Sequence, residues 1–201
     1  MKRRTLTLIC AAGLAAGIAG SLAGEAQEAE SAGDGPRYAN GTDLVRPDDY
    51  RQWTFLSSSL DMTYDAPGAR SGPSLFQNVF VNPSSYRAFL ENGRWPDETI
   101  FVLEIRASSR EGAINDAGQF QADLVALEAE VKDDRFADGW AFYDFGVAGS
   151  LREVSEPLSG DRVAPCVECH TEHTAVERTF VQFYPTLLEA ARRAGTLKPG
   201  F

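Results

Sequence analysis

Sulfur is scarce in this sequence. The 201 residues include three cysteines and two methionines, and Cys10 and Met1 fall within the first ten positions. Downstream there remain only Cys166, Cys169 and Met62. That number excludes a disulfide framework, which needs several pairs spread along a chain. Histidine is equally rare: the chain's two, His170 and His173, both stand beside the paired cysteines. A bilayer-length apolar run is missing as well. The stretch from Leu6 to about Ala19 is free of charge but rich in Ala and Gly, and shorter than the roughly 20 residues a span requires. Basic residues are in the minority, 19 Lys and Arg against 29 Asp and Glu, for a formal net charge of −10. Such an acidic body repels nucleic acid and anionic lipid; it suits a soluble exported protein and would favour a positively charged protein partner.

What is present begins with Met1-Lys2-Arg3-Arg4 ahead of that apolar stretch, then Ser21-Leu22-Ala23, small residues at the two positions a signal peptidase reads. The pattern predicts a signal peptide over residues 1–23 and export to the periplasm; an uncleaved anchor is the rival. Loss of Lys2, Arg3 and Arg4 would leave 16 basic residues against 29 acids, a balance of −13. Residues 24–41, mostly Ala, Glu, Ser, Gly and Asp, have little to bury and read as a flexible leader. Residues 42–201 then suffice for one domain with a real core.

Along that domain, Pro47 to Trp53 reads as a proline-opened helical turn and Thr54 to Tyr64 as a strand, followed by turn punctuation from Ala66 to Pro73. Phe76 to Val81 alternates, with Phe76, Asn78 and Phe80 on one face and Gln77, Val79 and Val81 on the other. Asn82 and Pro83 supply an N-cap and a first-turn proline, and Gly93 a stop, so a helix lies between them. Thr99 to Arg106 is a strand with Phe101, Leu103 and Ile105 on one face; Trp140 to Phe145 is another. Phe120 to Lys132 is ambiguous. Phe120, Leu124, Leu127 and Val131 keep helical spacing in an Ala-, Leu- and Glu-rich stretch, which leans to helix, yet Val125, Leu127, Ala129 and Val131 also share a strand face. Near the end, Val176, Phe180, Phe183, Leu187 and Ala191 repeat at helical spacing, with Pro185 set to break that helix or begin a second one.

The chemistry sits in Cys166-Val167-Glu168-Cys169-His170, the attachment pattern of a c-type haem. Residues three and four apart on a helix share a face, so two sulfurs and an imidazole can approach one side of a porphyrin. The thiols add across the two vinyl groups, and the histidine nitrogen reaches the iron. A thioredoxin-like pair is a poor rival, because that motif follows a strand early in a βαβ unit. A zinc site of Cys166, Cys169, His170 and His173 would force adjacent Cys169 and His170 onto one ion. A simple disulfide is the third alternative. One covalent haem c per chain is the reading adopted. For the opposite iron face, His173 is held too near His170 to cross the ring, and Met62 falls in a strand as core filler. An open, five-coordinate iron is therefore expected, with a Met62-ligated electron carrier as the alternative.

Several stretches together resemble the cytochrome P-460 family. They are Tyr50 to Trp53, Asn78 to Tyr86, Trp95 to Thr99, Leu127 to Asp133, Trp140 to Tyr143, the haem motif and Phe180 to Pro185, in that order. The resemblance implies an α+β fold, an antiparallel sheet with a few packed helices and the haem-binding helix near the C-terminus, usually as a homodimer. On that implication Phe120 to Lys132 becomes a strand against its local propensity. In the hydroxylamine-oxidising members a lysine from the strand after the Gly93-to-Thr99 turn is joined to the porphyrin. Here the matching position is Leu103, and the lysines are Lys2, Lys132 and Lys198.

The chain thus looks like the cytochrome c′-beta branch, with unlinked haem and an apolar, aromatic-lined distal side that binds nitric oxide and carbon monoxide. The expected distal wall is Leu103, Phe101 and Ile105, with Phe76 and Phe80 as aromatic cover. A small gaseous or nitrogenous ligand follows. Oxidation of hydroxylamine or nitric oxide is the enzymatic alternative, with Glu104, Glu128, Glu153 and Glu156 as acid–base candidates.

Overall fold

The computed structural model describes residues 33–62, 72–112 and 114–201. The signal-peptide reading, the first part of the leader, and the span from Thr63 to Ser71, which includes Tyr64 and most of the turn punctuation, lie outside these residues. Elements run β1 (Leu44–Val45), a 3-10 turn (Tyr50–Gln52), β2 (Thr54–Leu60), β3 (Leu75–Val81), α1 (Pro83–Asn92), β4 (Thr99–Ser109), β5 (Phe120–Lys132), β6 (Trp140–Val147) and β7 (Val154–Ser155). A 3-10 turn (Gly160–Arg162), α2 (Ala164–Glu172), a third (Val181–Phe183) and α3 (Pro185–Ala194) complete it. The α+β class is borne out.

Strands β2 to β6 form one antiparallel meander in sequence order, and β1 pairs with β7 as a separate two-stranded ribbon. The Phe120–Lys132 segment is a strand over its whole length, paired with both β4 and β6. Its helical propensity is worth only tenths of a kcal/mol per residue, less than a central position between two partners provides.

The sheet's two faces carry different cores. On one, Val81, Phe101 and Leu56 meet Phe89 of α1, Trp95, and Leu187, Ala190 and Ala191 of α3. On the other, Phe80, Ile100, Val102, Leu127, Val131 and Phe145 pack beneath Leu44 and Tyr50. The upstream chain is docked there. Tyr38 donates to Asp133 Oδ2 at 2.9 Å, and Asp34 Oδ2 accepts the Ser84 amide at 2.8 Å, capping α1 from a segment that composition had assigned to a flexible leader. Two charge- and dipole-based contacts thus order residues with little to bury.

Helix α1 follows its sequence signals, with Pro83 in its first turn and Gly93 left-handed at its end (φ +65°). A Cβ on Gly93 would stand 2.5 Å from Cβ of Ala194 on α3. Gly93→Ala is therefore expected to cost about 1–3 kcal/mol, from the strained φ and the lost helix contact, read as a lower urea midpoint. The terminal region differs from its periodicity. Val176 to Thr179 is a tight turn, Val181–Phe183 is 3-10, and Pro185 starts α3 instead of interrupting a longer helix. Proline at a helix start forfeits an amide that had no partner there anyway.

Candidate haem site

Trp95 links the core to the site. Tilted against Phe89 and edge-to-face with Phe101 (ring centroids at 4.2 and 4.7 Å), it donates Nε1 to Thr179 Oγ1 at 2.8 Å. That bond fixes the turn carrying Arg178 and Phe180, which flank His170.

Helix α2 begins at Ala164, with Pro165 in its first turn, and none of its residues is fully buried. Its 3.6-residue repeat sets Cys166, Cys169 and His170 on one side, and all three line a cavity of about 410 Å³. This is within the roughly 300–1,000 Å³ usual for small-molecule and cofactor sites. The sheet face supplies Ser57 and Ser59 of β2, Gln77 and Val79 of β3, Phe101 and Leu103 of β4, Glu128 and Glu130 of β5, and Phe142 of β6, and the segment after α2 adds Phe180, Phe183 and Tyr184. Met62 lies at its margin, 39% exposed.

The sulfurs are unbridged. Burial, then the nearby Glu128 carboxylate, pushes the Cys166 thiol above its ordinary pKa. His170 is held on three sides. Its Nδ1 lies 2.8 Å from Arg178 O and 3.1 Å from Glu130 Oε1, and the rings of Phe142 and Phe180 stand edge-on at 4.9 and 4.8 Å. A proton on Nδ1 satisfies those acceptors and leaves the lone pair of the neutral ring on Nε2. Burial opposes charge on His170, but the Glu130 carboxylate outweighs it and raises the pKa. Burial likewise raises Glu130, against the pull of His170, and raises Glu128, which faces Asp144 across the β5–β6 pair.

Two accessible thiols and an oriented imidazole on one cavity wall fit a porphyrin. They fit a bare ion poorly: among the described residues, no three His, Cys, Asp or Glu side chains are grouped to hold one. His173 caps α2 near Glu172 and does not line the cavity.

The expected wall is right in part. Leu103 and Phe101 line the cavity, but Ile105, Phe76 and Phe80 do not. In the β3–β4 register Val79 faces Leu103 and Gln77 faces Ile105, whereas Phe80 pairs with Val102 and Phe76 with Arg106. Direct cross-strand partners share a face, so Phe76 and Phe80 belong to the opposite side of the sheet. Phe80 there meets Tyr50 and Phe55, at 5.4 and 5.6 Å between ring centroids. The β3 part of the wall is consequently mixed, with Gln77 and Val79 where Phe76 and Phe80 were expected, while Phe101, Phe142 and Phe180 supply aromatic surface elsewhere. Gln77 Nε2 donates to Met62 O at 3.0 Å, and its Oε1 accepts from Met62 N at 3.1 Å and Ser59 Oγ at 2.8 Å, so these polar groups bond one another.

Of the acid–base candidates, Glu128 is in the cavity. Glu104 is fully buried on the far face, and Glu153 and Glu156 are exposed outside the cavity. Glu130 and Phe180 were not anticipated. For Glu130 a signal existed: with Leu127, Ala129 and Val131 on one strand face, Glu128 and Glu130 necessarily share the other.

An α+β domain whose sheet and C-terminal helix enclose a Cys-x-x-Cys-His cavity has the make-up of a small haem-binding cytochrome. The family model for cytochrome P460 matches residues 47–181, and the chain belongs to that family. No curated protein matches it. Among the described residues no lysine lines the cavity: Lys132 is engaged by Trp95 O and Glu177, and Lys198 by Thr171 O and Thr174.

Proposed function

We propose that the chain is an exported c-type haem protein, its porphyrin bonded to Cys166 and Cys169 and its iron bound by His170, with an open iron face that takes nitric oxide or a similar small neutral ligand. The observation that carries this is the setting of His170, which lines the cavity with its Nδ1 engaged, so that Nε2 is the nitrogen left to bind iron, and with no second imidazole on the cavity wall. Leu103, Val79 and Phe101 supply apolar surface. An anion entering there without a partner would lose its hydration uncompensated, so neutral diatomics are favoured. Export, a homodimer and a positively charged redox partner belong to the same reading. They are supported by the N-terminal pattern, the family resemblance and the excess of acids, respectively.

Ferric and ferrous absorption spectra before and after nitric oxide test it. High-spin five-coordinate iron whose ferrous spectrum changes with the gas is the expected result. A low-spin, gas-insensitive spectrum that is lost in Met62→Ala would instead make Met62 the sixth ligand and the protein an electron carrier.

A second reading, oxidation of hydroxylamine or nitric oxide, is favoured by Glu128. Its carboxyl group, solvent-exposed yet lining the cavity, stands directly across from Leu103 and keeps its proton to higher pH than usual, which makes it the better proton acceptor. Hydroxylamine with an artificial electron acceptor would then turn over in the parent protein and not in Glu128→Gln; absence of turnover in the parent removes this reading.

A further inference from the structure

Glu130 is a carboxyl group in surroundings that disfavour one. It is 9% exposed, and its direct cross-strand neighbours are Phe101 of β4 and Phe142 of β6. Burial of such a group is costly unless its oxygens are bonded, and Oε1 lies 3.1 Å from Nδ1 of His170. Orientation of the ring does not require this bond. Arg178 O already approaches Nδ1 at 2.8 Å, and Phe142 and Phe180 clamp the imidazole edge-on. Holding the ring in place would make Glu130 redundant, and an apolar residue there would cost less.

We propose that Glu130 is a positioning residue that sets how strongly His170 donates to the iron, and thereby how hard the iron is to reduce. This rests on the haem reading above. A carboxylate accepting from Nδ1–H draws on that proton and raises the basicity of Nε2, as outer partners of ligating histidines do. The neutral carbonyl of Arg178 does so less, because hydrogen bonds to charged acceptors are the stronger kind. The phenyl surroundings strengthen the effect, since a low local dielectric screens the bond little. Ferric iron carries one more positive charge than ferrous, so a stronger donor favours the oxidised state and lowers the reduction potential. Glu130 therefore biases the resting protein toward ferric iron.

Glu130→Gln in the haem-loaded protein tests this, since the amide keeps the shape and a neutral acceptor oxygen. The reduction equilibrium is expected to shift about tenfold toward ferrous, a rise of about 59 mV for one electron. The iron–histidine stretching band in the ferrous resonance Raman spectrum should move to lower frequency. Glu128→Gln removes a carboxyl group from the same cavity with no bond to His170, so it is expected to leave that band in place. An unmoved band in Glu130→Gln, or an equal movement in Glu128→Gln, overturns the proposal. If Glu130→Gln fails to fold, Glu130→Asp replaces it; the shorter side chain weakens the bond and should move the band the same way, and an unmoved band again overturns the proposal. A parent protein with no iron–histidine band would defeat the haem reading first and this inference with it.

Discussion

Replacing Cys166 and Cys169 together with alanine is expected to abolish covalent haem completely. Each thiol S–H adds across one vinyl double bond, forming a thioether without any oxidant, so without both sulfurs no such link can form. Haem staining after denaturing electrophoresis should vanish, and the mass of the purified chain should fall by one haem in addition to two sulfur atoms. A second effect follows from the packing of α2. None of its residues is fully buried, and its inward side faces the cavity. Helices of this length are marginal in water unless a face is packed, so the porphyrin would have to supply that packing. Hydrogen exchange over Ala164 to Glu172 should therefore lose most of its protection in the double variant, while β4 and β5 keep theirs. Haem staining that survives in the double variant would refute the attachment.

Glu104→Ala is expected to destabilise the fold by about 3 kcal/mol, because it removes a buried carboxylate and leaves its several hydrogen-bond donors without their acceptor. Glu104 is 0% exposed and accepts from Tyr50 Oη at 2.6 Å, Asn78 Nδ2 at 2.9 Å and Arg106 Nη1 at 3.3 Å, and also from Arg51. Asn78 in turn exchanges bonds with Gln121 at 2.7 and 3.0 Å, so the network joins β3, β4 and β5 with the turn at Tyr50–Gln52. For a domain of this size the loss corresponds to a fall of about 6–12 °C in Tm.

Burial alone would raise the Glu104 pKa, but the bonds from Tyr50, Asn78 and Arg51 outweigh it and hold the carboxyl below its ordinary range. The same surroundings push Tyr50 up to about 12, chiefly by burial and then by its bond to Glu104. A depressed carboxyl stabilises the fold above its unfolded pKa of about 4.3, and that stabilisation disappears as pH falls through the lower folded value. The Tm gap between parent and Glu104→Ala should accordingly be full at pH 7 and narrow in acid below about pH 4. A gap that stays constant down to that range would mean Glu104 contributes by packing and not by charge.

Much of the fold is local information. Asn82, Pro83 and Gly93 bound α1, alternation marks β3, β4 and β6, and Cys166, Cys169 and His170 lie at the spacing expected of a haem attachment. Each depends on neighbours within one turn or a few strand residues, where steric and hydrogen-bonding preferences act directly. Phe120–Lys132 marks the limit: its residues fit helix and strand alike, and the family resemblance, not the segment, pointed to the strand that β4 and β6 impose.

Which face of a strand meets the cavity was beyond any local signal. Alternation sorts Phe76 and Phe80 from Gln77 and Val79 but cannot say which set joins Leu103; the pairing of Val79 with Leu103 decides that. A one-residue slip would exchange every side chain between the two faces. The irregularity between Phe55 and Ser57 shows the same dependence, setting Leu56 in the helix-side core and Ser57 at the cavity. Contacts of residues distant in the chain arise the same way, Glu130 with His170 and Trp95 with Thr179. The motif pointed to a haem because covalent attachment would demand a short fixed spacing; its surroundings awaited the folded chain, because register is settled by the whole sheet at once.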